Sequence, residues 1–136
     1  MNIEIKKSQK LVKYEEALRL MEDRLLQIDQ KKSKDLIWVL EHENIYTAGT
    51  SYKENEILDK SINIFKTNRG GKITYHGPGQ LITYPIINLR ELRLGPQKYI
   101  FKIEETIIKT LNEFGVNGNR SIGNPGVWVE DSKIAA

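Results

Sequence analysis

A twelve-residue segment rich in glycine is the feature that most constrains what this chain can fold into. It spans residues 69–80 and contains four glycines, one proline, one arginine and one histidine. Glycine lets the backbone turn sharply or approach a ligand closely. Arg69 supplies a fixed positive charge, and His76 supplies a group that gains or loses a proton near neutral pH. The segment therefore predicts a site for an anionic or carbonyl-bearing ligand.

A purely structural interpretation of residues 69–80 competes with this one. It treats the segment as a hairpin connection in which Arg69 and His76 are solvated or bonded to the backbone. A phosphate-binding loop is disfavoured, because the glycines of such loops lead into a helix, whereas a strand pattern follows here.

The length and apolar content of the chain set the number of domains and the compartment. A chain of 136 residues with 39% hydrophobic residues can form one domain around one core, so we expect a single domain over residues 1–136. No apolar run approaches the roughly 20 residues of a membrane span. Residues 1–7 lack the apolar centre of a secretory signal. We expect a cytoplasmic protein without a membrane segment.

The charge balance and the cysteine count exclude several functions. The chain has 21 basic and 18 acidic residues and a net charge of +3, spread along its length. This balance suits an acidic partner but forms no dense patch for nucleic acid. The absence of cysteine excludes disulfides, cysteine-based metal sites and a thiolate nucleophile within these residues. We expect no metal, no cofactor and no nucleic-acid partner.

Apolar periodicity predicts two amphipathic helices. Apolar residues recur at steps of three and four over residues 8–30, with Ser8 as the candidate N-cap. A second stripe begins after Gly95 and Pro96 and ends before Gly115. Both stripes are typical of helices that pack one face on a core.

Short runs of β-branched and aromatic residues predict the strands. We expect strands over residues 35–42, 62–66, 81–89 and 127–129, and a further hairpin strand that begins after a turn at residues 130–132. Residues 45–49 are expected to begin a loop, and residues 50–60 to form a loop or one helical turn. Pro85 cannot donate to a ladder, so we expect it at a sheet edge or a bulge.

Lys133 and His42 are the other side chains with useful chemistry. Lys133 follows a turn at the start of an apolar run. In a partly desolvated pocket its pKa would fall, which suits proton transfer or anion stabilisation; an ordinary surface lysine is the competing interpretation. His42 ends an apolar strand, where satisfied structural histidines are commoner than catalytic ones, so it is not included in the candidate site.

Three stretches of the sequence together match the pattern of one enzyme family. They are residues 40–49 (LEHENIYTAG), residues 69–85, and residues 125–136, with PGVWV followed by KIAA. In order and spacing they resemble the lipoyl(octanoyl) transferases, which move an octanoyl group from acyl carrier protein to a lipoyl domain. The resemblance implies an α/β fold with a mixed β-sheet flanked by helices, as in biotin and lipoate protein ligases, incomplete at the C-terminus.

The resemblance also implies the roles of individual residues. Lys133 would stabilise the thiolate of a catalytic cysteine, which accepts the octanoyl group and passes it to a lysine amine of the acceptor. Ala136 would begin a second binding segment. The acyl pocket would be lined by Arg69, Gly70, Gly71, Lys72, Ile73, Thr74, Tyr75 and His76.

The cysteine that the resemblance calls for is not among the 136 residues. We therefore expect the N-terminal part of an octanoyltransferase, truncated before the nucleophile and inactive by itself. The implied partners are octanoyl-acyl carrier protein and the lipoyl domains of 2-oxo acid dehydrogenase E2 subunits or of the glycine cleavage H protein.

Two other functions stay open on the sequence. A non-catalytic remnant that binds the acyl group or the carrier protein would need no nucleophile. An ATP-dependent lipoate or biotin ligase shares the fold, but residues 76–80 resemble the transferase form of the motif, and the basic, glycine-rich nucleotide loop of ligases is not evident.

Overall fold

The computed structural model describes residues 3–136, and the chain divides into two compact units, Met1–Asn88 and Leu89–Ala136. The elements, in chain order, are β1 (Ile3–Lys7), α1 (Tyr14–Asp29), β2 (Asp35–Leu40), β3 (Ile45–Ala48), a 3₁₀ turn (Glu54–Glu56), β4 (Ile64–Lys66), β5 (Ile73–His76), β6 (Ile82–Ile86), α2 (Pro96–Glu113), β7 (Asn119–Ser121), β8 (Asn124–Val129) and β9 (Ser132–Ala135). Neither helix has the length and apolar content needed to cross a membrane.

The core of the first unit lies between α1 and a three-stranded sheet. This sheet has the order β1-β2-β6, with β2 parallel to β1 and antiparallel to β6. Alternate residues of β2 are buried, as expected for a central strand with one face on a core. The buried core residues are Ala17, Ile28, Leu36, Trp38, Leu40 and Ile86. Pro85 lies on the edge strand β6, which confirms its predicted place.

Helix α1 begins later than its apolar stripe predicts, and the assignment of Ser8 as its N-cap is wrong. The helix begins at Tyr14 and has Lys13 at the N-cap position. Residues before it run beside β2, because the Ser8 amide donates to the Val39 carbonyl at 2.9 Å. The Ser8 hydroxyl instead accepts a hydrogen bond from the indole N–H of Trp38 at 2.9 Å. Tertiary hydrogen bonding thus keeps this stretch extended.

The second sheet of the first unit corrects two predictions. Residues 45–49 do not begin a loop, because β3 is the central strand of a sheet with the order β4-β3-β5. Strand β4 is parallel to β3, and β5 is antiparallel to it. Strands β4 and β5 therefore do not form the hairpin that the competing structural interpretation of residues 69–80 assumes. The connection between them passes over the end of β3.

The second unit combines α2 with the antiparallel sheet β7-β8-β9. Helix α2 begins at Pro96 after Gly95, and Gly115 follows it with a φ of 73°, so both predicted boundaries are confirmed. The side chain of Val127 on β8 is fully buried. The predicted hairpin after β8 is also confirmed, with Glu130 at a φ of 51° in its turn.

The two helices and the mixed sheets of the first unit confirm the predicted α/β class. The expectation of a single domain over residues 1–136 stays a prediction.

Candidate functional site

The glycine-rich loop, residues 67–72 between β4 and β5, is held by the segment that follows β3. The Thr50 amide donates to the Arg69 carbonyl at 2.8 Å, and the Ser51 amide donates to the Gly71 carbonyl at 3.1 Å. The Gly49 amide donates to the Lys72 carbonyl at 3.2 Å. Three backbone hydrogen bonds therefore fix residues 69–72 against residues 49–51.

Gly49 lets these two segments approach each other closely. A Cβ atom at this position would lie 2.4 Å from the Gly71 carbonyl oxygen and 2.5 Å from that of Gly70. A Cβ carbon does not approach a non-bonded oxygen this closely, so any side chain would force the loop away from β3. The glycine that ends the LEHENIYTAG stretch is thus explained by contact with the glycine-rich segment.

Arg69 is anchored on β3. Its guanidinium donates to the Thr47 hydroxyl at 2.7 Å and to the Thr47 carbonyl at 2.9 Å, and also to the Gly70 carbonyl at 2.9 Å. Thr47 is fully buried. Within residues 3–136 no carboxylate forms an ion pair with Arg69. Its positive charge is therefore oriented by neutral oxygens and is not neutralised by them.

Lys72 differs from Arg69 in having an acidic partner. Its ammonium forms an ion pair with Glu56 of the 3₁₀ turn. The hydrogen bond that the Lys72 ammonium donates within this ion pair is the largest cause that lowers the pKa of the Glu56 carboxyl below its ordinary value. Lys72 thus ties the loop to the 3₁₀ turn.

A cluster of aromatic and imidazole rings surrounds His76 at the end of β5. The ring of His76 stacks on Tyr14, with 5.9 Å between centroids, and lies 5.7 Å from the ring of His42. His42 in turn lies 5.8 Å from the ring of Tyr84 on β6. Strand β6 and helix α1 therefore place two tyrosines beside the two histidines.

His42 is fully buried and both of its ring nitrogens have partners. Nδ1 lies 2.7 Å from the Val12 carbonyl oxygen, and Nε2 lies 2.8 Å from the Tyr84 hydroxyl. Since a carbonyl can only accept, Nδ1 carries the proton and Nε2 accepts from Tyr84. The interpretation of His42 as a satisfied buried histidine is confirmed. Its contact with His76 has no signal in the sequence, because it depends on how β2 and β5 are placed.

Burial sets the protonation of His42 and Tyr84. It is the largest cause that lowers the pKa of His42; the Val12 hydrogen bond opposes this shift, and the nearby His76 adds to it. Burial also raises the pKa of the Tyr84 hydroxyl. Both groups are therefore neutral at pH 7, as the hydrogen bond between them requires.

The lowered pKa of His42 predicts an acid-sensitive fold. The unfolded chain binds a proton at His42 near pH 6.5, but the folded chain binds it only at lower pH. The contribution to stability is thus complete above about pH 6.5 and is lost as the pH falls through the folded pKa. Urea unfolding at a series of pH values should show this loss. If a His42→Leu variant showed the same decline between pH 7 and 5, His42 would not be its cause.

The remaining predicted pocket residues lie on β5. Ile73 and Thr74 are partly buried, whereas the Tyr75 ring is 44% exposed and its hydroxyl donates to Asn44 at 2.7 Å. Gly77 is buried beneath these groups, since a Cβ there would lie 2.2 Å from the Tyr75 hydroxyl.

In the second unit, Lys133 and Ala136 line a groove of about 410 Å³ between α2 and the sheet. Its walls are mostly apolar and include Ile100, Ile103 and Ile107 of α2. Lys133 is exposed, with its ammonium 5.2 Å from the centre of the Trp128 ring. The exposure of Lys133 agrees with the interpretation as an ordinary surface lysine, and its role beside a thiolate stays a prediction.

Glu104 gives this groove a fixed polar edge. One carboxylate oxygen accepts from the Gly126 amide at 2.9 Å, and the other accepts from Arg120 at 3.0 Å. Gly126 has a φ of 118°, and a Cβ there would lie 2.5 Å from the Ala135 carbonyl oxygen. The glycine of the PGVWV stretch thus allows β8 and β9 to meet. Among residues 3–136, no group of three or more His, Asp or Glu side chains is placed to hold a metal ion.

Comparison with protein families and curated proteins gives consistent matches. The family model of the lipoyl protein ligase A/B catalytic domain matches residues 13–136. An octanoyltransferase of Neorickettsia sennetsu is 43% identical over 120 residues, which are 87% of this chain and 57% of that protein. An octanoyltransferase of Bradyrhizobium sp. (strain ORS 278) is 42% identical over an alignment of 137 positions, which covers 95% of this chain and 57% of that protein. The chain therefore spans 57% of the length of these two relatives.

Solved structures share the fold at low sequence identity. P. falciparum LipL1 in complex with lipoate superposes with a TM-score of 0.60 at 17% identity, covering 96% of this chain and 41% of that one. A putative lipoate protein ligase from T. acidophilum gives a TM-score of 0.59 at 14% identity, covering 96% and 60%. These matches confirm the predicted lipoate ligase-like fold.

Proposed function

The chain belongs to the lipoyl protein ligase A/B catalytic domain family, and we propose that it serves the transfer of an octanoyl group to a protein in lipoate biosynthesis. The observation that carries this proposal is the 43% identity to an octanoyltransferase over 87% of the chain. The glycine-rich loop and its contacts with β3 lie within this similarity.

The proposed reaction is an acyl exchange with octanoyl-acyl carrier protein as donor. A cysteine thiolate attacks the thioester carbonyl, and the carrier leaves as its thiolate. The neutral amine of an acceptor lysine then attacks the acyl-cysteine, which forms an amide, releases the cysteine thiolate and leaves the amine proton to be taken up by the carrier thiolate or by water. The acceptors would be lipoyl domains of 2-oxo acid dehydrogenase E2 subunits or of the glycine cleavage H protein. The reaction would take place in the cytoplasm.

The residues of this chain would bind and orient the acyl group. We propose that residues 69–76 line the acyl pocket, with Ala136 at a second binding segment. Arg69 supports this role, because its charge has no carboxylate partner among residues 3–136 and favours the electron-rich oxygen of a thioester. Lys133 would stabilise the thiolate. The 136 residues contain no cysteine, so the isolated polypeptide is expected to bind the donor without completing the transfer.

Transfer and binding can be measured separately. The 136-residue protein is incubated with octanoyl-acyl carrier protein and an unmodified lipoyl domain, and the intact mass of the lipoyl domain is followed. We expect no octanoylation above the reaction without enzyme, whereas the octanoylated carrier protein should bind more weakly as salt increases, because the chain has a net charge of +3. The Neorickettsia sennetsu octanoyltransferase serves as the positive control, in which transfer to the lipoyl domain would show that both substrates are competent.

The two results test different parts of the proposal. Robust transfer by the 136-residue protein would contradict its inactivity alone. Failure to bind octanoyl-acyl carrier protein, with the protein folded by circular dichroism, would contradict the proposed substrate.

A second candidate is a non-catalytic module that binds the acyl group or the carrier protein, a function that requires no nucleophile among these 136 residues. Such a module would bind octanoyl-acyl carrier protein but not the lipoyl domain, since only transfer requires an acceptor. A lipoate or biotin ligase is a weaker alternative, because the LipL1 structure and the putative lipoate protein ligase share only the fold, at 14–17% identity. Pyrophosphate release that depends on lipoate and ATP would support it.

A further inference from the structure

His76 and Gln80 are joined across a tight turn at the end of β5. The Nδ1 atom of His76 lies 3.0 Å from the Oε1 atom of Gln80. This is the only hydrogen bond that the His76 ring forms with residues 3–136. The stacked ring of Tyr14 and the tilted ring of His42 fix the plane of the imidazole.

The turn that brings Gln80 to His76 is itself closed and anchored. The Gln80 amide donates to the Gly77 carbonyl at 3.1 Å. The Gly79 amide donates to the carboxylate of Glu41 at 2.7 Å, and Gly79 has a φ of 84°, which favours glycine. Although Gln80 is exposed, its backbone is therefore held in place.

The orientation of the Gln80 amide sets the location of the ring proton. Its Oε1 atom faces His76 and can only accept, so with this orientation Nδ1 of a neutral His76 carries the proton and Nε2 keeps its lone pair. The Tyr84 hydroxyl cannot donate to this lone pair, because it already donates to His42. His76 is also only partly buried.

We propose that Gln80 is a positioning residue that holds the Nδ1–H tautomer of His76 and leaves Nε2 as a hydrogen-bond acceptor for an N–H donor of the substrate. The use of Nε2 rests on the proposed function, whereas the tautomer does not. A ring held in one tautomer and one plane needs no rearrangement when the donor arrives, which is the benefit of a preorganised site. An unrestrained ring would divide its population between two tautomers.

Nitrogen chemical shifts of the two histidines test the tautomer directly. In the ¹⁵N-labelled protein at pH 8, long-range ¹H–¹⁵N correlations separate protonated from unprotonated ring nitrogens. The chain has only two histidines, and a His76→Gln variant assigns them. We expect both rings to show a protonated Nδ1 and an unprotonated Nε2.

Two variants of Gln80 separate positioning from a structural role. Gln80→Glu keeps an acceptor for Nδ1–H and should preserve the His76 pattern. Gln80→Leu removes the acceptor and should shift His76 toward a mixture of tautomers. His42 serves as the internal control, because its shifts report the fold and should not change in either variant.

Each result decides the proposal. A protonated Nε2 on His76 of the unmodified protein would overturn it, and so would an unchanged His76 pattern in Gln80→Leu. Addition of octanoyl-pantetheine, whose arm carries amide N–H donors, should move the His76 Nε2 signal. If the tautomer is as expected but this signal does not move, the substrate role of Nε2 is wrong while the assignment of Gln80 stands.

Discussion

Gly49→Ala is expected to lower the free energy of unfolding by about 1–3 kcal/mol or more and to displace the glycine-rich loop. The new methyl group would lie within 2.5 Å of two backbone carbonyl oxygens and within 2.8 Å of the Arg69 guanidinium. Backbone cannot rotate away as a side chain can, so the loop must separate from residues 49–51. Urea unfolding measures the first effect, and binding of octanoyl-acyl carrier protein measures the second.

Gly70→Ala is the matched control for this change. Gly70 lies in the same loop, but a Cβ there would meet no atom within 4 Å, and its φ is not in the left-handed region. The free energy of unfolding of the Gly70→Ala variant should differ from that of the unmodified protein by less than about 1 kcal/mol. Equal destabilisation by the two variants would show that the close contact at Gly49 is not the cause.

His42→Leu is expected to cost about 2–4 kcal/mol of stability, although leucine is apolar and fits a buried site. The substitution leaves the Val12 carbonyl and the Tyr84 hydroxyl without their partner. A buried polar group that loses its hydrogen bond is destabilising by about 1–3 kcal/mol. Chemical denaturation at pH 8, where His42 is neutral in the folded and the unfolded chain, compares the free energy of unfolding of His42→Leu with that of the unmodified protein.

A double-mutant cycle with Tyr84→Phe identifies the source of this cost. Tyr84→Phe alone leaves Nε2 of His42 unpaired and should cost about 1–2 kcal/mol. The double variant removes both partners, so its cost should be smaller than the sum of the two single costs. Strict additivity would contradict a hydrogen bond between His42 and Tyr84.

The helices and the buried strands could be predicted because local signals mark them. Gly95, Pro96 and Gly115 bound α2, and the apolar run of β2 identifies a central strand. Strands β1, β3 and β7 have weaker patterns; β7, for example, has the sequence NRS. Such strands exist because distant partners hydrogen-bond to them, and one sequence does not reveal those partners.

The candidate site was located by its glycines, but its contacts were not. The sequence identifies Arg69 as a cation without showing that its guanidinium binds the buried Thr47. That contact exists because β3 pairs with both β4 and β5, which local patterns do not indicate. The role of Gly49 has the same origin, since it depends on the loop that crosses the end of β3.

The crossing of this loop over the end of β3 has a consequence for how a ligand can enter. Both of its ends continue into strands of one sheet, and Thr67 donates its amide to the Ala48 carbonyl at 2.9 Å. Residues 67–72 therefore cannot swing outward like a hinged flap unless strand pairs separate. For the proposed acyl ligand we therefore expect entry to depend on the motion of other segments, while residues 67–72 keep one fixed shape.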